Sequence, residues 1–156
     1  MDTINMDTIN KDIYFKVIVQ SESIYRRFLD SVRMELGRLG TRGVTGTQIL
    51  ILQCIGHKQV TINELNNCGR YFGTNISSTI GKMITNKYLE RIPSTNDHRL
   101  HYIKLSPLGS KIVTDLEKII EKQSQELQAI VDSDDLKNIV EVQKKLDVFL
   151  MHSLRD

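Results

Sequence analysis

Apolar side chains recur at helical spacing along much of this chain. Over residues 13–39 they return every three or four positions, which predicts a long first helix. Thr45 and Gln48 have the spacing of a capping box and open a second helix, whose residues 49–55 are apolar nearly all round. A second capping box, Thr61 and Glu64, opens a short third helix that we expect to end at Gly69.

A fourth helix is predicted after a turn, over residues 74–87. At about 100° per residue its isoleucines and Met83 fall on one side, and a small, polar face falls on the other. Short polar side chains let a backbone come close to a partner and offer donors and acceptors to bases and phosphates. Behind a helix and a turn, this pattern favours a recognition helix over a plain solvent-facing one. The polar face holds Thr74, Asn75, Ser78, Gly81, Lys82 and Thr85.

Two runs of alternating apolar residues, 88–92 and 101–105, flank a turn-rich segment and predict a β-hairpin. Asp97 and Arg99 lie in that segment, so the carboxylate can hold the guanidinium in one orientation. Such a cation suits the narrow minor groove of DNA, although a local ion pair that only stiffens the turn is the alternative. Helix, turn, helix and hairpin in this order predict a winged helix-turn-helix.

The last third of the chain predicts two more long helices. Ser106 and Pro107 form an N-cap and a first-turn proline, and Ser133 opens the final helix. Amphipathic helices at both ends carry more apolar surface than one small domain buries. We therefore expect a homodimer whose recognition helices lie about 34 Å apart, one DNA turn. An antiparallel pair within one chain is the alternative.

The predicted fold is mainly α with a small β-hairpin, an α+β arrangement. Residues 11–156 form one domain, in which 47–107 are the winged helix-turn-helix and 11–40 with 108–154 are dimerisation helices. Residues 1–10 repeat a pentapeptide, and we treat them as a tail that is disordered or introduced by cloning. No apolar run is long enough for a membrane helix and no secretion signal is present, so we expect a cytoplasmic protein.

Charge is unevenly distributed along the chain. The net charge is +2, but residues 57–111 carry eight basic against three acidic side chains, whereas residues 112–156 carry six against ten. A basic middle followed by an acidic end fits a protein that meets phosphates on one face only.

Other chemistry is weakly indicated. Cys54 and Cys68 form no CxxC motif, which argues against a disulfide framework or zinc site; Cys54 is expected in the core, and Cys68 leaves redox sensing as an alternative. His98 and His101 lie three apart beside a strand and so chelate a metal poorly. No catalytic set or phosphate-binding loop is present. We expect no enzyme activity, metal or cofactor.

Four segments together resemble the MarR family of bacterial transcription regulators. Leu89-Glu90-Arg91, the segment 93–99 and residues 105–109 resemble its "(I/V)ER…DxR…LTxxG" signature, and residues 44–48 resemble its "LTxxQ" motif. The resemblance implies a homodimer that represses or activates genes and releases DNA when a small molecule binds. By position, the recognition-helix contacts are Asn75, Ser77, Ser78 and Lys82, and the wing contacts are Asp97 and Arg99.

This sequence departs from the family pattern at three positions. Ser78 stands where many members have Arg, Lys87 where Gly is frequent, and Ser106 in place of Thr. The resemblance also implies an effector pocket between the first, second and fifth helices. Tyr25, Arg42 and Thr45 are its candidates by location. A winged helix that binds only protein is the competing function, and it would carry an apolar recognition face rather than this polar one.

Overall fold

The computed structural model describes residues 9–68, 75–95 and 101–154. Within these ranges the predicted class, mainly α with a small β-hairpin, is confirmed. The elements in chain order are α1 (Lys11–Arg38), α2 (Gly46–Ile55), α3 (Ile62–Asn66), α4 (Ile76–Thr85), β1 (Leu89–Pro93), β2 (His101–Leu105), α5 (Pro107–Leu127) and α6 (Ser133–Ser153).

Both predicted capping boxes are present. The Thr45 hydroxyl accepts from the Gln48 backbone N–H at 3.3 Å, and Gln48 Oε1 accepts from the Thr45 N–H at 3.0 Å. Thr61 and Glu64 repeat this arrangement at 3.2 Å and 2.6 Å. Each box satisfies backbone donors that a helix start leaves without partners, so the starts of α2 and α3 are determined locally.

Some helix ends differ from the predicted ones. Asn67, and not Gly69, follows the last residue of α3, because its N–H donates to the carbonyls of Asn63 and Glu64. At α6 the capping side chain is that of Asp132, which accepts from the Asp134 N–H at 2.9 Å. Gly69 lies outside the described residues.

The hairpin is antiparallel, with Leu89 opposite Leu105 and Arg91 opposite Ile103. Ile103 also pairs with Val60, which precedes α3, through hydrogen bonds of 2.9 Å and 2.7 Å. The strand that leads into α5 is therefore tied to the segment that leads into α3.

The chain divides into two compact units, residues 1–116 and 117–156. The first holds a core to which every one of its helices and both strands contribute, and this core supports the helix-turn-helix. Its most deeply buried side chains are Val32, Leu36, Ile49, Ile51, Leu52, Ile55, Leu65, Ile80, Met83, Leu89, Ile103, Ile112 and Leu116.

The second unit contains the end of α5 and the whole of α6. Among the residues that the structure describes, α6 has no buried side chain. Its apolar side chains are exposed in the single chain: Leu136, Ile139, Val140, Val142, Val148, Phe149, Leu150, Met151 and Leu154. A search of the described helices found none with the length and apolar character needed to cross a membrane.

Candidate nucleic-acid interface

Helix α4 has one buried face and one exposed polar face. Ile76, Ile80 and Met83 are buried against the first unit's core, as their spacing predicts. The face turned to solvent, called here the polar face of α4, consists of Asn75, Ser77, Ser78, Gly81, Lys82 and Thr85. The structure thus brings together four of the predicted DNA-contacting residues on one helix.

The side chains of this face are largely uncommitted. Asn75 is the N-cap residue, yet its side chain makes no capping hydrogen bond. In the described part of the chain, Ser77 and Ser78 have no side-chain hydrogen bond and Lys82 has no ion pair, whereas the Thr85 hydroxyl donates to the Gly81 carbonyl at 3.1 Å. An amide, two hydroxyls and an ammonium group therefore remain free to bind a partner.

Gly81 lies in the middle of the polar face, where the sequence placed it, but it was not among the predicted DNA contacts. A Cβ atom built on it would meet nothing within 4 Å, so the fold itself does not require glycine there. Glycine inside a helix lowers stability relative to alanine. A residue that costs stability and leaves the helix backbone bare is what a closely approaching partner requires.

The base of the hairpin is fixed to the end of α4. The Tyr88 N–H donates to the Met83 carbonyl at 2.9 Å, and the Ser106 N–H donates to the Tyr88 carbonyl at 3.1 Å. The Ser106 hydroxyl donates to the Lys87 carbonyl and accepts from the Gly109 N–H at 3.0 Å. These bonds hold the strands at one angle to α4.

Gly109 is required at this junction. A Cβ atom there would lie 2.1 Å from the Tyr88 carbonyl oxygen, far inside contact distance. The signature residues Ser106 and Gly109 therefore have a structural role, because they join hairpin, α4 and α5. Neither Ser106 nor Gly109 is assigned as a DNA contact.

Three predicted contact residues, Thr74, Asp97 and Arg99, lie outside the described residues. Their assignment to the interface stays a prediction. Of the described hairpin charges, Glu90 and Lys104 form a cross-strand ion pair at 3.2 Å.

The effector candidates lie along two clefts rather than one. Arg42 and Thr45 line a cleft of about 470 Å³, together with apolar Met34, Leu36 and Val44. Tyr25 lines another, of about 550 Å³. Asp30 and Arg33 border both clefts.

The expectation for the cysteines was wrong. The structure joins Cys54 and Cys68 in a disulfide, and both residues are half-buried, so Cys54 is not a core residue. No sequence motif indicates this pair, because the proximity of the two cysteines depends on tertiary packing. The end of α2 and the residues after α3 lie side by side, with a Cα–Cα distance of 6.7 Å.

Comparison with known proteins gives the same fold. Residues 44–109 match the family described as winged helix DNA-binding domain. Over 103 residues the chain is 33% identical to the exopolysaccharide II synthesis transcriptional activator ExpG of Rhizobium meliloti (strain 1021). This match covers 66% of the chain and 53% of ExpG, so the chain spans about half the length of that relative.

Solved structures of MarR proteins superpose on most of the chain. A mutant MarR from E. coli complexed with operator DNA has a TM-score of 0.66 at 18% identity, covering 89% of this chain and 99% of that one. A MarR-like regulator from Bacillus cereus ATCC 10987 has a TM-score of 0.65 at 14% identity, covering 88% and 97%. The chain has the winged-helix fold of these MarR structures.

The shared fold agrees with the helix α4 and the hairpin beside it. Reduced AbfR bound to DNA is a further neighbour, with a TM-score of 0.67 at 14% identity over 92% of this chain and 95% of that one. The relatives are transcription regulators rather than enzymes.

Proposed function

We propose that this protein controls transcription as a homodimer that binds operator DNA through the polar face of α4. One observation carries the proposal: a buried apolar face holds α4 rigidly, while its opposite face presents unpaired polar groups, one cation and a bare backbone at Gly81. Major-groove readout needs hydrogen-bonding groups on a helix that can lie close to the bases. A protein-binding helix would instead present apolar anchors.

The wing supplies the second contact in this proposal. Arg99, oriented by Asp97, enters the minor groove beside the site that α4 reads. Thr74, just before α4, contacts the phosphate backbone of the DNA. The hydrogen bonds that link Met83, Tyr88 and Ser106 support this, because they fix the base of the hairpin directly beside α4. In this proposal the protein works in the bacterial cytoplasm, where the DNA lies.

Apolar surface at both ends of the chain supports the homodimer. The apolar side chains of α6 are not buried by any of the described residues. On α1 several apolar side chains are exposed in the same way: Ile13, Phe15, Val17 and Ile24. Many exposed apolar side chains on one helix mark an interface in proteins that stay in solution. A second copy with twofold symmetry would bury it and present two α4 helices to one operator.

A small-molecule effector completes the proposal. The cleft beside Arg42 has the volume of a ligand pocket and combines apolar walls with two arginines, Arg33 and Arg42. A ligand there would contact α1 and the segment that caps α2, so binding could retune the helix-turn-helix. Operator binding represses or activates transcription, the two modes that the family resemblance implies.

Selection from genomic DNA tests the proposal. Full-length protein would be incubated with fragments of the source genome, retained fragments sequenced, and dissociation constants measured for the enriched site and for a shuffled duplex at the same salt concentration. We expect the enriched site to bind at least about 1,000-fold more tightly. Equal affinity for both duplexes, or no binding of either, would reject sequence-specific regulation.

A further inference from the structure

We propose that α4 reads three successive base pairs, with Asn75 on an A·T pair, Lys82 on a G·C pair and Ser78 on the pair between them. The inference rests on the proposed function, because it names the base pairs that the polar face of α4 recognises. Two observations carry it: the spacing of these three side chains along the helix, and the hydrogen-bonding groups that each of them has free.

The three residues lie along one side of the polar face. An α-helix turns about 100° per residue, so Asn75 and Lys82, seven positions apart, differ by only about 20° around the helix axis. Ser78 lies about 60° from Asn75 and about 40° from Lys82. The rise of about 1.5 Å per residue spreads the three over about 10 Å of the axis. α4 therefore presents them as one row.

Packing holds this row in one orientation. Asn75 precedes the helix, yet its carbonyl accepts from the Thr79 N–H at 3.0 Å and from the Thr79 hydroxyl at 3.2 Å, so it is fixed to the first turn. The apolar side chains on the other side of α4 are buried, and rotation of the helix about its axis would expose them to water. These are Ile76, Ile80 and Met83.

The spacing of the row fits the spacing of base pairs in the major groove. In C2H2 zinc fingers, helix residues at three-residue intervals contact three successive bases. Asn75, Ser78 and Lys82 follow each other at intervals of three and four residues, which is nearly the same. The row therefore spans three base pairs, and its two end residues reach pairs that are separated by one.

The free groups at the two ends of the row select different bases. The Asn75 amide, which makes no capping hydrogen bond, offers one donor and one acceptor side by side. Adenine matches it, with N6 as a donor and N7 as an acceptor in the major groove. The Lys82 ammonium group only donates, and it has no ion pair within the described ranges. Guanine offers it two acceptors, O6 and N7.

Ser78 leaves the middle base pair nearly unselected. Its hydroxyl both donates and accepts, so it can bond to more than one base edge. The side chain is short, and it reaches the bases because neighbouring Gly81 puts no side chain between the helix and the groove. The recognised element is thus an A·T pair, a tolerant pair and a G·C pair, present once in each half of the operator of a homodimer.

The experiment measures base preference one position at a time. The operator enriched from genomic DNA is prepared with each base pair replaced in turn by the other three, and affinities are measured at one salt concentration. We expect wild type to weaken by about 10-fold or more on replacement of an A·T pair and of a G·C pair that are separated by one pair. Asn75→Ala should lose only the first preference and Lys82→Ala only the second.

Two further variants complete the design. Lys82→Gln should exchange the preference for guanine for one for adenine at the same position, because a glutamine amide matches adenine. Such a new preference cannot result from misfolding. Thr85→Ala is the matched control, since Thr85 is exposed on the same face but its hydroxyl is bonded to the Gly81 carbonyl. Its base preferences should equal those of wild type.

Four results would overturn the assignment. An alanine variant that stays folded by circular dichroism and weakens equally on every duplex would have lost a phosphate contact only. The others are sensitive positions that are adjacent or more than one pair apart, an unchanged preference in Lys82→Gln, and an altered one in Thr85→Ala. If wild type prefers some base pairs but not these, the assignment alone fails. If wild type binds every duplex and a shuffled one equally, the proposed function fails.

Discussion

Lys87 shows how a single backbone angle connects sequence to site. Its φ is 62°, the one positive value for a non-glycine residue in the described part of the chain. The strain occurs where the chain turns from α4 into the hairpin, and the family pattern frequently has glycine at this position. Lys87 therefore keeps a strained turn, and its side chain is exposed just after the end of α4.

Lys87→Gly should relieve this strain. Left-handed backbone costs an L-residue about 1 to 2 kcal/mol, partly offset by the greater chain entropy of glycine when unfolded, so we expect the free energy of unfolding to rise by about 1 kcal/mol. Urea unfolding would measure it. Lys87→Ala is the control, because it removes the charge and keeps the strain; an equal rise in both variants would assign the effect to charge.

Thr61 lowers the pKa of Glu64 below its ordinary value. The main cause is the hydrogen bond from the Thr61 backbone N–H, followed by the bond from the Thr61 hydroxyl. Because the folded pKa is lowered, the resulting stabilisation is present above glutamate's ordinary pKa and is lost as the pH falls through the lowered value. Cap and charge thus act together at the start of α3.

Thr61→Ala should raise the pKa of Glu64 partway toward its ordinary value, because the hydroxyl bond disappears and the backbone bond remains. A carboxyl NMR titration would record the change. Thr45→Ala, which breaks the other capping box, should leave Glu64 unchanged. A pKa of Glu64 that is the same in wild type and Thr61→Ala would contradict this cause.

The bare backbone at Gly81 separates folding from binding within α4. Gly81→Ala should raise the free energy of unfolding by about 0.5 to 1 kcal/mol, because alanine favours helix and meets no neighbour within 4 Å. Gly81→Leu should also fold, yet its side chain would occupy the space that a duplex needs. We expect Gly81→Leu to weaken operator binding by at least about 10-fold while circular dichroism stays unchanged. Unchanged affinity of a folded Gly81→Leu would place the DNA elsewhere.

The helix starts were predictable because their causes are local. Thr45 and Thr61 each find a partner three residues later, so four letters of sequence determine a capping box. The two faces of α4 were predictable for the same reason, since a helical period alone separates Ile76 and Ile80 from Ser78 and Lys82.

Features that depend on tertiary packing could not be predicted from sequence patterns. Cys54 and Cys68 are 14 residues apart, and only the packing of α2 beside the end of α3 brings their sulfurs together. The sequence identifies Gly109 only as part of a family motif, and the structure gives the reason for glycine, because the Tyr88 carbonyl lies against it. Tyr25 and Arg42 were grouped by the location of the effector pocket that the family resemblance implies, whereas the structure puts them along different clefts.

In the proposed homodimer the contact between the two copies determines how their α4 helices meet DNA, and α6 offers a direct test of that contact. Phe149 is 57% exposed on a helix without buried residues in the described structure. Phe149→Glu would place a charge in the proposed interface, which is costly to bury without a partner. We expect light scattering to give the mass of two chains for wild type and of one chain, or a concentration-dependent mixture, for the variant.

Lys145→Glu is the matched control on the same helix, because Lys145 is exposed and has no ion pair among the described residues. It should stay dimeric. A wild-type protein that is monomeric at every concentration would contradict the homodimer, and a fully dimeric Phe149→Glu would remove Phe149 from the interface.

The central claim is that the polar face of α4 reads DNA, and Lys82 is its cation. Lys82→Ala should weaken operator binding by about 10-fold or more, and more than it weakens binding to random duplex, because a lost base contact affects the specific site. Lys118→Ala, on α5, removes an exposed lysine that likewise has no ion pair in the described residues and should change neither affinity. Titrations of the three proteins on both duplexes at one salt concentration are the decisive measurement. Operator affinity that is the same in Lys82→Ala as in wild type would contradict the claim.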